Sequence, residues 1–592
     1  MKIKVADYIA NLLSVHGITN VFTVVGGGAM HLNNAFGQHN KLKCIYNHHE
    51  QASAIAAESF AKIENKLAVV CVTTGPGGTN AITGVLCAYL DNIPLLVISG
   101  QARYATTVES SGLNLRQFGE QEYRIVESVK PMTKYAVMVK NPLDIKYHIE
   151  RAIFEATTGR KGPCWIDIPL DVQASIIESS DLRSFKPDKK SSYNEKNSKH
   201  ILDRIDKAER PVLIAGSAIR QAGCLDQFYT LAGKLNIPVL CPTAVSDYFQ
   251  YDHPLYFGNF GVFGGRTGNF IIQNADLIVS LGARMSFKQT GFNYKSFAPD
   301  AEKIVVDIDT EELKKDTIKI DFPVHADVYD VIQSLNNLIV KKVPRKSGWL
   351  QYCAMLKNSF ERLQRKQMIG KAVNPYFFAS ILQEKLSKNA IIILGNSCAC
   401  TSISQYGISK KGQRLYTDIN CGAMGYDIPA ALGAAVASRK PVICITGDGS
   451  FQMNIQELQT IVHNELPVKF IIFNNNGYQA ILNTQTNFFN GALSGCTPDS
   501  GISFPSFNLI SRAYNIPFRK IAKHRDIEKG IDWLLSLDSY GLCEVIEDTS
   551  QPIEPRVLSK KLADGTMVSP PIDDLAPFLT QSEYKRYSKF KK

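Results

Sequence analysis

The sequence has no apolar run that approaches the roughly 20 residues needed to cross a membrane. Residues 1–18 carry Asp7 and an amphipathic rhythm instead of the uninterrupted apolar segment of a signal peptide. These two absences predict a chain with no membrane span and no secretory leader.

Paired cysteine spacings are also missing, although the chain has 13 cysteines. Cys398 and Cys400 form the only close pair, and no second pair follows at zinc-finger spacing. Others, such as Cys71 and Cys87, lie inside apolar runs, where a reduced cysteine packs as a small hydrophobic residue. This usage predicts a reducing compartment, the cytoplasm.

Acidic residues are in deficit, since 66 Lys and Arg outnumber 55 Asp and Glu and give a net charge of +11. Part of the excess lies in a basic C-terminal tail, which holds Lys585, Arg586, Lys589, Lys591 and Lys592. The chain shows no recognition-helix or zinc-finger signature, so we expect a solvated tail and no nucleic-acid partner. The excess charge can instead help to attract anionic substrates.

The 592 residues separate into blocks in which short apolar runs alternate with helical patterns. This alternation predicts an α/β fold with three doubly wound parallel sheets. We place the domains at 1–180, 200–342 and 370–550, followed by an extended basic tail over 551–592. Lysine-rich stretches at 186–199 and 341–346 read as linkers between the blocks.

The most informative stretch lies in the third block, where the apolar run 441–446 ends in Gly447-Asp448-Gly449-Ser450. A helical pattern follows, and a second apolar run at 468–473 ends in Asn474-Asn475-Asn476-Gly477-Tyr478. Both polar loops fall at the carboxyl ends of parallel strands, where ligands bind in open α/β sheets. An ordinary βα turn followed by an asparagine-rich turn is the alternative interpretation.

The chemistry of these two loops favours a metal-bound diphosphate. A carboxylate, an amide oxygen and a loop carbonyl suit Mg²⁺, which takes its remaining ligands from water and phosphate. Glycines let backbone N–H groups approach phosphate oxygens at a helix start. The pair of loops resembles the thiamine-diphosphate (ThDP) motif, and by that resemblance Asp448, Asn475 and the backbone carbonyl of Gly477 hold Mg²⁺ against the cofactor.

Glu50 follows His48-His49 and opens an alanine-rich helix in the first block. A glutamate at a helix start is commonly only a partner of the helix dipole. Beside the ThDP motif, however, Glu50 resembles the catalytic glutamate of the same enzymes. That resemblance implies a carboxyl group bonded to N1′ of the cofactor's aminopyrimidine.

Further segments resemble the acetolactate synthase/pyruvate oxidase family, namely 22–29 (with Val25 where proline is usual), 74–80 and 420–431. The resemblance makes Met424 the apolar wedge under the bent cofactor and places Gln121 near the substrate, although Glu120 replaces an expected phenylalanine. The residues that it assigns to cofactor binding are Gly26, Gly27, Glu50, Pro76, Asn80, Ser397, Cys398, Gly422, Met424, Gly447, Asp448, Gly449, Ser450, Asn475, Gly477 and Tyr478.

Two departures bear on the substrate. Residues 284–291 differ from the RFDDRVTG segment of branched-chain acetolactate synthases, and residues 478–482 lack their tryptophan. The tail over 554–579 is similar to that of acetolactate-synthase-like proteins of surface-polysaccharide pathways. We therefore expect a transferase that decarboxylates pyruvate, or a similar 2-keto acid, and passes two carbons to a carbonyl acceptor such as a nucleotide-linked keto sugar.

Other interpretations stay open at this stage. They are a branched-chain acetolactate synthase, a flavin-dependent oxidoreductase of the pyruvate oxidase type, and a non-catalytic ThDP-binding module. FAD is undecided, because the glycines at 216–218, 261–266 and 282–284 and the acids at 307–309 occur in any such fold. Since Glu50 and the diphosphate motif lie on different domains, the resemblance implies a homodimer or homotetramer.

Overall fold

The computed structural model describes residues 2–188, 193–341, 343, 346–561, 564 and 566–590. Parts of the two predicted linkers, and Lys591 and Lys592 of the predicted tail, lie outside the described residues. Within the described residues no helix is both long enough and apolar enough to span a membrane.

The N-terminal domain is built on a parallel six-stranded sheet with the order β3-β2-β4-β5-β7-β6, while β1 pairs with β8 in a separate antiparallel ribbon. Its strands are β1 (Lys2–Lys4), β2 (Asn20–Thr23), β3 (Lys43–Tyr46), β4 (Ala68–Val72), β5 (Leu95–Gln101), β6 (Tyr135–Met138), β7 (Pro163–Pro169) and β8 (Ile176–Glu178). Its α-helices are α1 (Val5–Val15), α2 (Met30–Gln38), α3 (Glu50–Glu64), α4 (Pro76–Leu90), α5 (Val108–Ser111), α6 (Ile125–Val129), α7 (Ile145–Thr157) and α8 (Leu170–Ala174).

The central domain has a parallel sheet of different order, β11-β10-β9-β12-β13-β14, which is the Rossmann arrangement. Its strands are β9 (Pro211–Ala215), β10 (Val239–Pro242), β11 (Tyr256–Phe260), β12 (Leu277–Leu281), β13 (Glu302–Asp307) and β14 (Phe322–His325). The helices are α9 (Lys196–Lys207), α10 (Ala218–Gln221), α11 (Leu225–Leu235), α12 (Arg266–Gln273), α13 (Phe287–Thr290), α14 (Thr310–Lys314), α15 (Val328–Leu338) and α16 (Ser347–Ser359).

The C-terminal domain has a third parallel sheet, with the order β16-β15-β17-β18-β20-β19. Its strands are β15 (Ile391–Leu394), β16 (Arg414–Tyr416), β17 (Val442–Gly447), β18 (Val468–Asn474), β19 (Phe518–Ile521) and β20 (Gly541–Ile546). The helices are α17 (Pro375–Lys385), α18 (Cys398–Tyr406), α19 (Asp427–Ser438), α20 (Asp448–Gln452), α21 (Glu457–His463), α22 (Gln479–Phe488), α23 (Phe507–Ala513) and α24 (Ile527–Ser536).

The three sheets confirm the predicted α/β fold. Inner strands such as β5 and β17 are buried along their whole length, which explains why they read as unbroken apolar runs in the sequence. The domain boundaries drawn from the sequence stay predictions.

The segment after residue 551 is not extended throughout. It contains a short ribbon, β21 (Lys560–Lys561) with β22 (Met567–Val568), and a final helix, α25 (Gln581–Tyr587). Ile572 and Leu575 are buried in the apolar core of the central domain, in the same cluster as residues of α12 and α16. The tail is therefore partly a packed element of that domain.

The N- and C-terminal domains share one apolar core, in which α3 packs against α19. Small residues allow the close approach, and a Cβ atom on Gly433 would overlap the carbonyl oxygen of Ala56. Ser59 Oγ donates a hydrogen bond of 2.6 Å to the carbonyl of Ala430 across this contact. The alanine-rich character of both helices thus follows from their contact with each other.

Candidate active site

The C-terminal domain gathers its polar loops at the carboxyl edge of its sheet. The order β16-β15-β17-β18 reverses direction between β15 and β17, and this switch point is where open α/β sheets bind ligands. The loops that follow these four strands carry Gly422, Ser397, Asp448 and Asn475, respectively. The structure therefore brings four of the sequence-predicted segments to one edge.

Asp448 is held rigidly at the end of β17. Its Oδ1 accepts from the backbone N–H of Gly449 at 2.8 Å, and its Oδ2 accepts from those of Asn475 and Gly477 at 3.2 and 3.1 Å. The carboxyl group is buried, and burial raises its pKa to about 6 despite these bonds. A carboxylate fixed by three N–H groups keeps lone pairs that point away from the backbone.

Asn475 presents an amide oxygen with no partner. Its Nδ2 donates to Glu547 Oε2 at 2.8 Å, whereas its Oδ1 is buried and accepts no hydrogen bond within the described part of the chain. A buried acceptor without a partner is uncommon and calls for an explanation, such as an ion. The Glu547 contact fixes which end of the amide faces the loop of Asp448.

Glu547 is a site residue that sequence reasoning missed. It follows β20, which pairs directly with β18, so that neighbouring strand ends bring it to Asn475. Burial raises its pKa to about 7, and the Asp448 charge adds to the effect. Among the described residues no lysine or arginine forms an ion pair with Asp448 or Glu547, so two buried carboxyl groups lack a counter-cation. This donor set fits a hard dication that takes further ligands from a diphosphate.

The glycines of the predicted motif are required by close contacts. A Cβ atom on Gly449 would collide with the ring of Tyr478, and one on Gly447 would lie 2.9 Å from Ser397 Cβ. Ser450 Oγ accepts from the backbone N–H of Gly425 at 2.8 Å and ties this loop to the loop before α19. The loops at 447–450 and 474–478, which we call the diphosphate cradle, are thus linked to each other and to the loop before α19.

A cavity of about 410 Å³ adjoins the cradle. Its lining includes Ser397, Cys398 and Gly422, together with the cations Lys288 and Arg556. Ser397 also caps α18, since its hydroxyl accepts from the N–H of Cys400. The Gly422 carbonyl accepts from the Asn396 amide, and Met424 Cε lies beside Gly449. The volume falls within the range of ~300–1,000 Å³ typical of small-molecule sites.

Glu50 occupies the first position of α3 in the N-terminal domain and is buried. Asn80 Nδ2, one turn into α4, donates to its Oε2 at 3.0 Å. The preceding loop is anchored to the C-terminal domain, because Glu457 accepts from Asn47 Nδ2 and from the N–H of His48, each at 2.9 Å. His49 Nδ1 accepts from the N–H of Gln51 and caps the helix. These contacts hold the Glu50 carboxyl in one position.

The remaining N-terminal predictions fall in neighbouring loops. A Cβ atom on Gly26 would lie 2.5 Å from Thr73 Cβ, whereas one on Gly27 would meet nothing within 4 Å. Pro76 opens α4, where its missing N–H costs no hydrogen bond. Gln121 is exposed and has a φ of 55°. Its backbone carbonyl oxygen lies in close contact with Gly75. Gln121 therefore neighbours the loop that leads into α4, whose Asn80 donates to Glu50.

The predicted site residues thus fall into two groups, one on the C-terminal loops around Asp448 and one on the N-terminal loops around Glu50. The 410 Å³ cavity beside Gly422 and Ser397 is lined by no described residue of the N-terminal domain. Within one chain, Glu50 does not share that cavity.

The central-domain loops that carry residues 216–218 and 282–284 leave little room for a flavin. Gly216 and Gly282 pack against each other's loops, since a Cβ on Gly216 would overlap the carbonyl of Gly282. Gly261 lies against the carbonyl of Lys288. The cavity beside residues 217, 283 and 284 is about 120 Å³, below the range of ~300–1,000 Å³ for ligand pockets. The residues present therefore give FAD no support.

Comparison with known protein families agrees with this geometry. Residues 3–122 match the N-terminal TPP binding domain of thiamine pyrophosphate enzymes, residues 198–335 match the central domain, and residues 395–545 match the C-terminal TPP binding domain. Each match falls on one of the three sheets.

Curated relatives cover nearly the whole chain. The probable acetolactate synthase large subunit of Methanocaldococcus jannaschii is 30% identical over 566 residues, which are 92% of each chain. The acetolactate synthase isozyme 1 large subunit of Escherichia coli (strain K12) is 30% identical over 559 residues, 93% of this chain and 95% of its own. The chloroplastic acetolactate synthase of Arabidopsis thaliana is 28% identical over 571 residues.

The chain belongs to the acetolactate synthase family of thiamine-pyrophosphate-dependent enzymes. It is accordingly an acetolactate-synthase-like carboligase that uses ThDP, as the GDG and NN loops predicted.

Proposed function

We propose that this acetolactate-synthase-like enzyme decarboxylates pyruvate, or a similar 2-keto acid, and transfers the two-carbon unit to a carbonyl acceptor. The observation that carries the proposal is Asn475 Oδ1, which is aimed by Glu547 beside Asp448 and accepts no hydrogen bond from the described residues. A buried amide oxygen and a carboxylate without a counter-cation are what a Mg²⁺–diphosphate complex needs.

Asp448, Asn475 and the Gly477 carbonyl are the proposed Mg²⁺ ligands. When bound, ThDP supplies the electron sink for loss of CO₂. Gly447, Gly449 and Ser450 bring backbone N–H groups to the start of α20, where the diphosphate would be neutralised. Tyr478 and Met424 flank Gly449 on this loop.

Glu50 is the proposed proton-holding group at the aminopyrimidine ring nitrogen. Asn80 positions its carboxyl group and leaves the other oxygen, Oε1, for the cofactor. Gln121, on the loop that contacts Gly75, is the proposed substrate neighbour. In these roles the protein supplies orientation and a desolvated pocket rather than covalent chemistry.

A second copy of the chain is proposed to complete the site. Large apolar side chains are exposed in the N-terminal domain, as at Leu113 (62%) and Phe118 (53%), and in the C-terminal domain, as at Phe488 (62%) and Phe489 (61%). We assign these side chains to the proposed association surface, because contiguous exposed apolar area is typical of such surfaces. An interface between them would bring Glu50 of one copy to the Asp448 loop of another.

The acceptor is proposed to be a nucleotide-linked keto sugar. The 410 Å³ cavity is lined by Lys288 and Arg556. The only carboxylate among its described lining residues, Asp418, already accepts two backbone N–H bonds. Such a cavity favours an acceptor that carries phosphate. Lys288 lies in the segment 284–291 that departs from branched-chain acetolactate synthases.

Branched-chain acetolactate synthesis is the second candidate, because the curated relatives carry the acetolactate synthase name. The test is to supply pyruvate with ThDP and Mg²⁺ and a panel of acceptors: a second pyruvate, 2-ketobutyrate and nucleotide-linked keto sugars. Mass spectrometry should detect a product that is two carbons larger than the nucleotide sugar. Formation of acetolactate alone would reject the sugar acceptor and support the second candidate.

A further inference from the structure

Two thiols and a carboxylate converge outside the proposed Mg²⁺ site. Cys87 lies near the end of α4, while Asp418 and Cys421 lie in the loop between β16 and α19. One ligand atom from each of the three residues lies within 4.8 Å of the others. In the described part of the chain this is the only such cluster of three His, Cys, Asp or Glu ligands.

Hydrogen bonds hold the three residues of the cluster in place. Asp418 Oδ1 accepts from the N–H of Cys421 at 3.2 Å, and its Oδ2 accepts from the N–H of Ala423 at 3.1 Å and from the Cys87 thiol at 3.2 Å. Cys87 and Asp418 are buried, and Cys421 is half-buried. The carboxylate is therefore fixed beside both sulfurs, and an ion can enter from the side of Cys421.

Charges around the cluster favour a cation. Lys62 is already paired with Glu58 and Asp91, at 2.6 and 2.8 Å. Lys288 donates to the carbonyl of Ile419 in the same loop. Asp418 is thus left with no cation as its direct partner among the described residues.

The ligand types indicate which cation. Two cysteine sulfurs with one carboxylate oxygen suit a soft or borderline divalent ion, and Mg²⁺ avoids sulfur. Zinc binds sulfur at about 2.3 Å and oxygen at about 2.0–2.2 Å. Because the three ligand atoms lie within 4.8 Å of one another, small side-chain rotations would bring all of them to these distances from one ion. Three protein ligands leave a fourth, open position for water.

We propose that Cys87, Asp418 and Cys421 bind one divalent cation of the zinc and cadmium class. The two thiols release their protons to solvent as the metal–sulfur bonds form, the carboxylate binds as it is, and no group is oxidised or reduced. The site joins α4, which carries Asn80 beside Glu50, to the loop that carries Gly422 and Met424. An ion here would fasten together two elements of the proposed active site.

The experiment uses the full chain, reduced and stripped of metal, with excess Mg²⁺ and ThDP to occupy the hard-ligand site. Titration with Cd²⁺ should produce a thiolate-to-cadmium charge-transfer band in the ultraviolet, with one ion bound per chain. Cys87→Ala and Cys421→Ala should each abolish the band, and Asp418→Asn should weaken binding at least about tenfold. Cys421 is half-buried, so that its alanine variant should fold even where the Cys87 variant does not.

Two matched controls lie outside the cluster. Cys71 is buried like Cys87, and Cys44 is half-buried like Cys421, so Cys71→Ala and Cys44→Ala should bind Cd²⁺ as the parent does. Absence of binding by the reduced parent would overturn the proposal, as would binding that survives in both cluster variants. A Cys87–Cys421 disulfide that forms readily while the reduced chain binds no metal would also overturn it. Because no substrate is present, the result is independent of the proposed carboligation.

Discussion

The N-terminal sheet, β3-β2-β4-β5-β7-β6, and the C-terminal sheet, β16-β15-β17-β18-β20-β19, place equivalent strands in the same order. Their loops nevertheless differ in chemistry. The loop after β17 carries Asp448, whereas the equivalent loop after β4 carries Gly75 and Pro76 and has no carboxylate. The difference shows that the shared topology supplies an edge at which loops meet, while the loop residues decide the function.

The same contrast holds for a second pair of loops. Glu50 opens α3 after β3, and Met424 precedes α19 after the equivalent strand β16. One loop offers an acid and the other an apolar side chain, and the two helices that follow pack against each other. The two domains are therefore complementary halves in the chemistry of their loops.

The largest effect is expected from Glu50→Gln, which leaves the size of the side chain unchanged. Decarboxylation should fall by on the order of 10²–10⁴-fold, because the variant cannot exchange a proton with the cofactor ring. ThDP should still bind, since the C-terminal loops that hold the diphosphate are untouched. Turnover and ThDP affinity should be measured on the same preparation. Turnover reports the contribution of Glu50 in the N-terminal domain, and ThDP affinity reports that of the C-terminal loops.

Glu64→Gln is the matched control at the other end of the same helix, where Glu64 pairs only with Lys66 among the described residues. It should retain parental turnover. Full activity in Glu50→Gln would contradict the proposed proton-holding role of Glu50.

In the C-terminal domain, Glu547→Leu should lower Mg²⁺ affinity roughly 10–100-fold, the usual cost of losing a partner that orients a metal ligand. Without Glu547 the Asn475 amide is free to turn its oxygen away from Asp448. Glu547→Gln keeps an acceptor for Asn475 Nδ2 and should recover most of the affinity. Isothermal titration with Mg²⁺ and ThDP checks both, and equal affinity in the leucine variant would contradict the orienting role.

The pH dependence of cofactor binding should follow the C-terminal carboxyl groups. Burial raises the pKa of Glu547 to about 7 and that of Asp448 to about 6. A raised carboxyl pKa stabilises the metal-free fold below the unfolded pKa, and that contribution is lost as pH rises through 6 and 7. Because the proposed metal ligand Asp448 must be ionised, Mg²⁺-dependent ThDP affinity should fall roughly tenfold per pH unit below about 6. A flat profile between about pH 8 and about pH 5 would contradict it.

The smallest effect concerns the contact between the two halves. Gly433→Ala places a Cβ against the Ala56 carbonyl and should lower the free energy of unfolding by roughly 1–3 kcal/mol. Gly233→Ala, in the exposed interior of α11 with nothing within 4 Å of the added carbon, should raise it by about 0.5–1 kcal/mol. Denaturant unfolding of both variants tests whether the α3–α19 contact is as tight as described.

The sequence predicted the sheets and the loop positions, because the apolar runs that form β17 and β18 end abruptly in polar motifs. It could not predict Glu547, which lies 72 positions from Asn475 and meets it only because β18 and β20 are neighbours. It also left FAD open, since only the folded chain shows that Gly216 and Gly282 are packed against each other. The contact between Cys87 and the Asp418 loop likewise depends on how two domains meet.

The most direct test of the two complementary halves is co-expression of Glu50→Gln chains with Asp448→Asn chains. Each variant alone should be inactive. If a site combines the N-terminal domain of one chain with the C-terminal domain of another, random pairing makes half of the dimers mixed, each with one intact site. Decarboxylation should then return to about a quarter of the parental rate. No recovery, with mixed dimers present, would contradict the account.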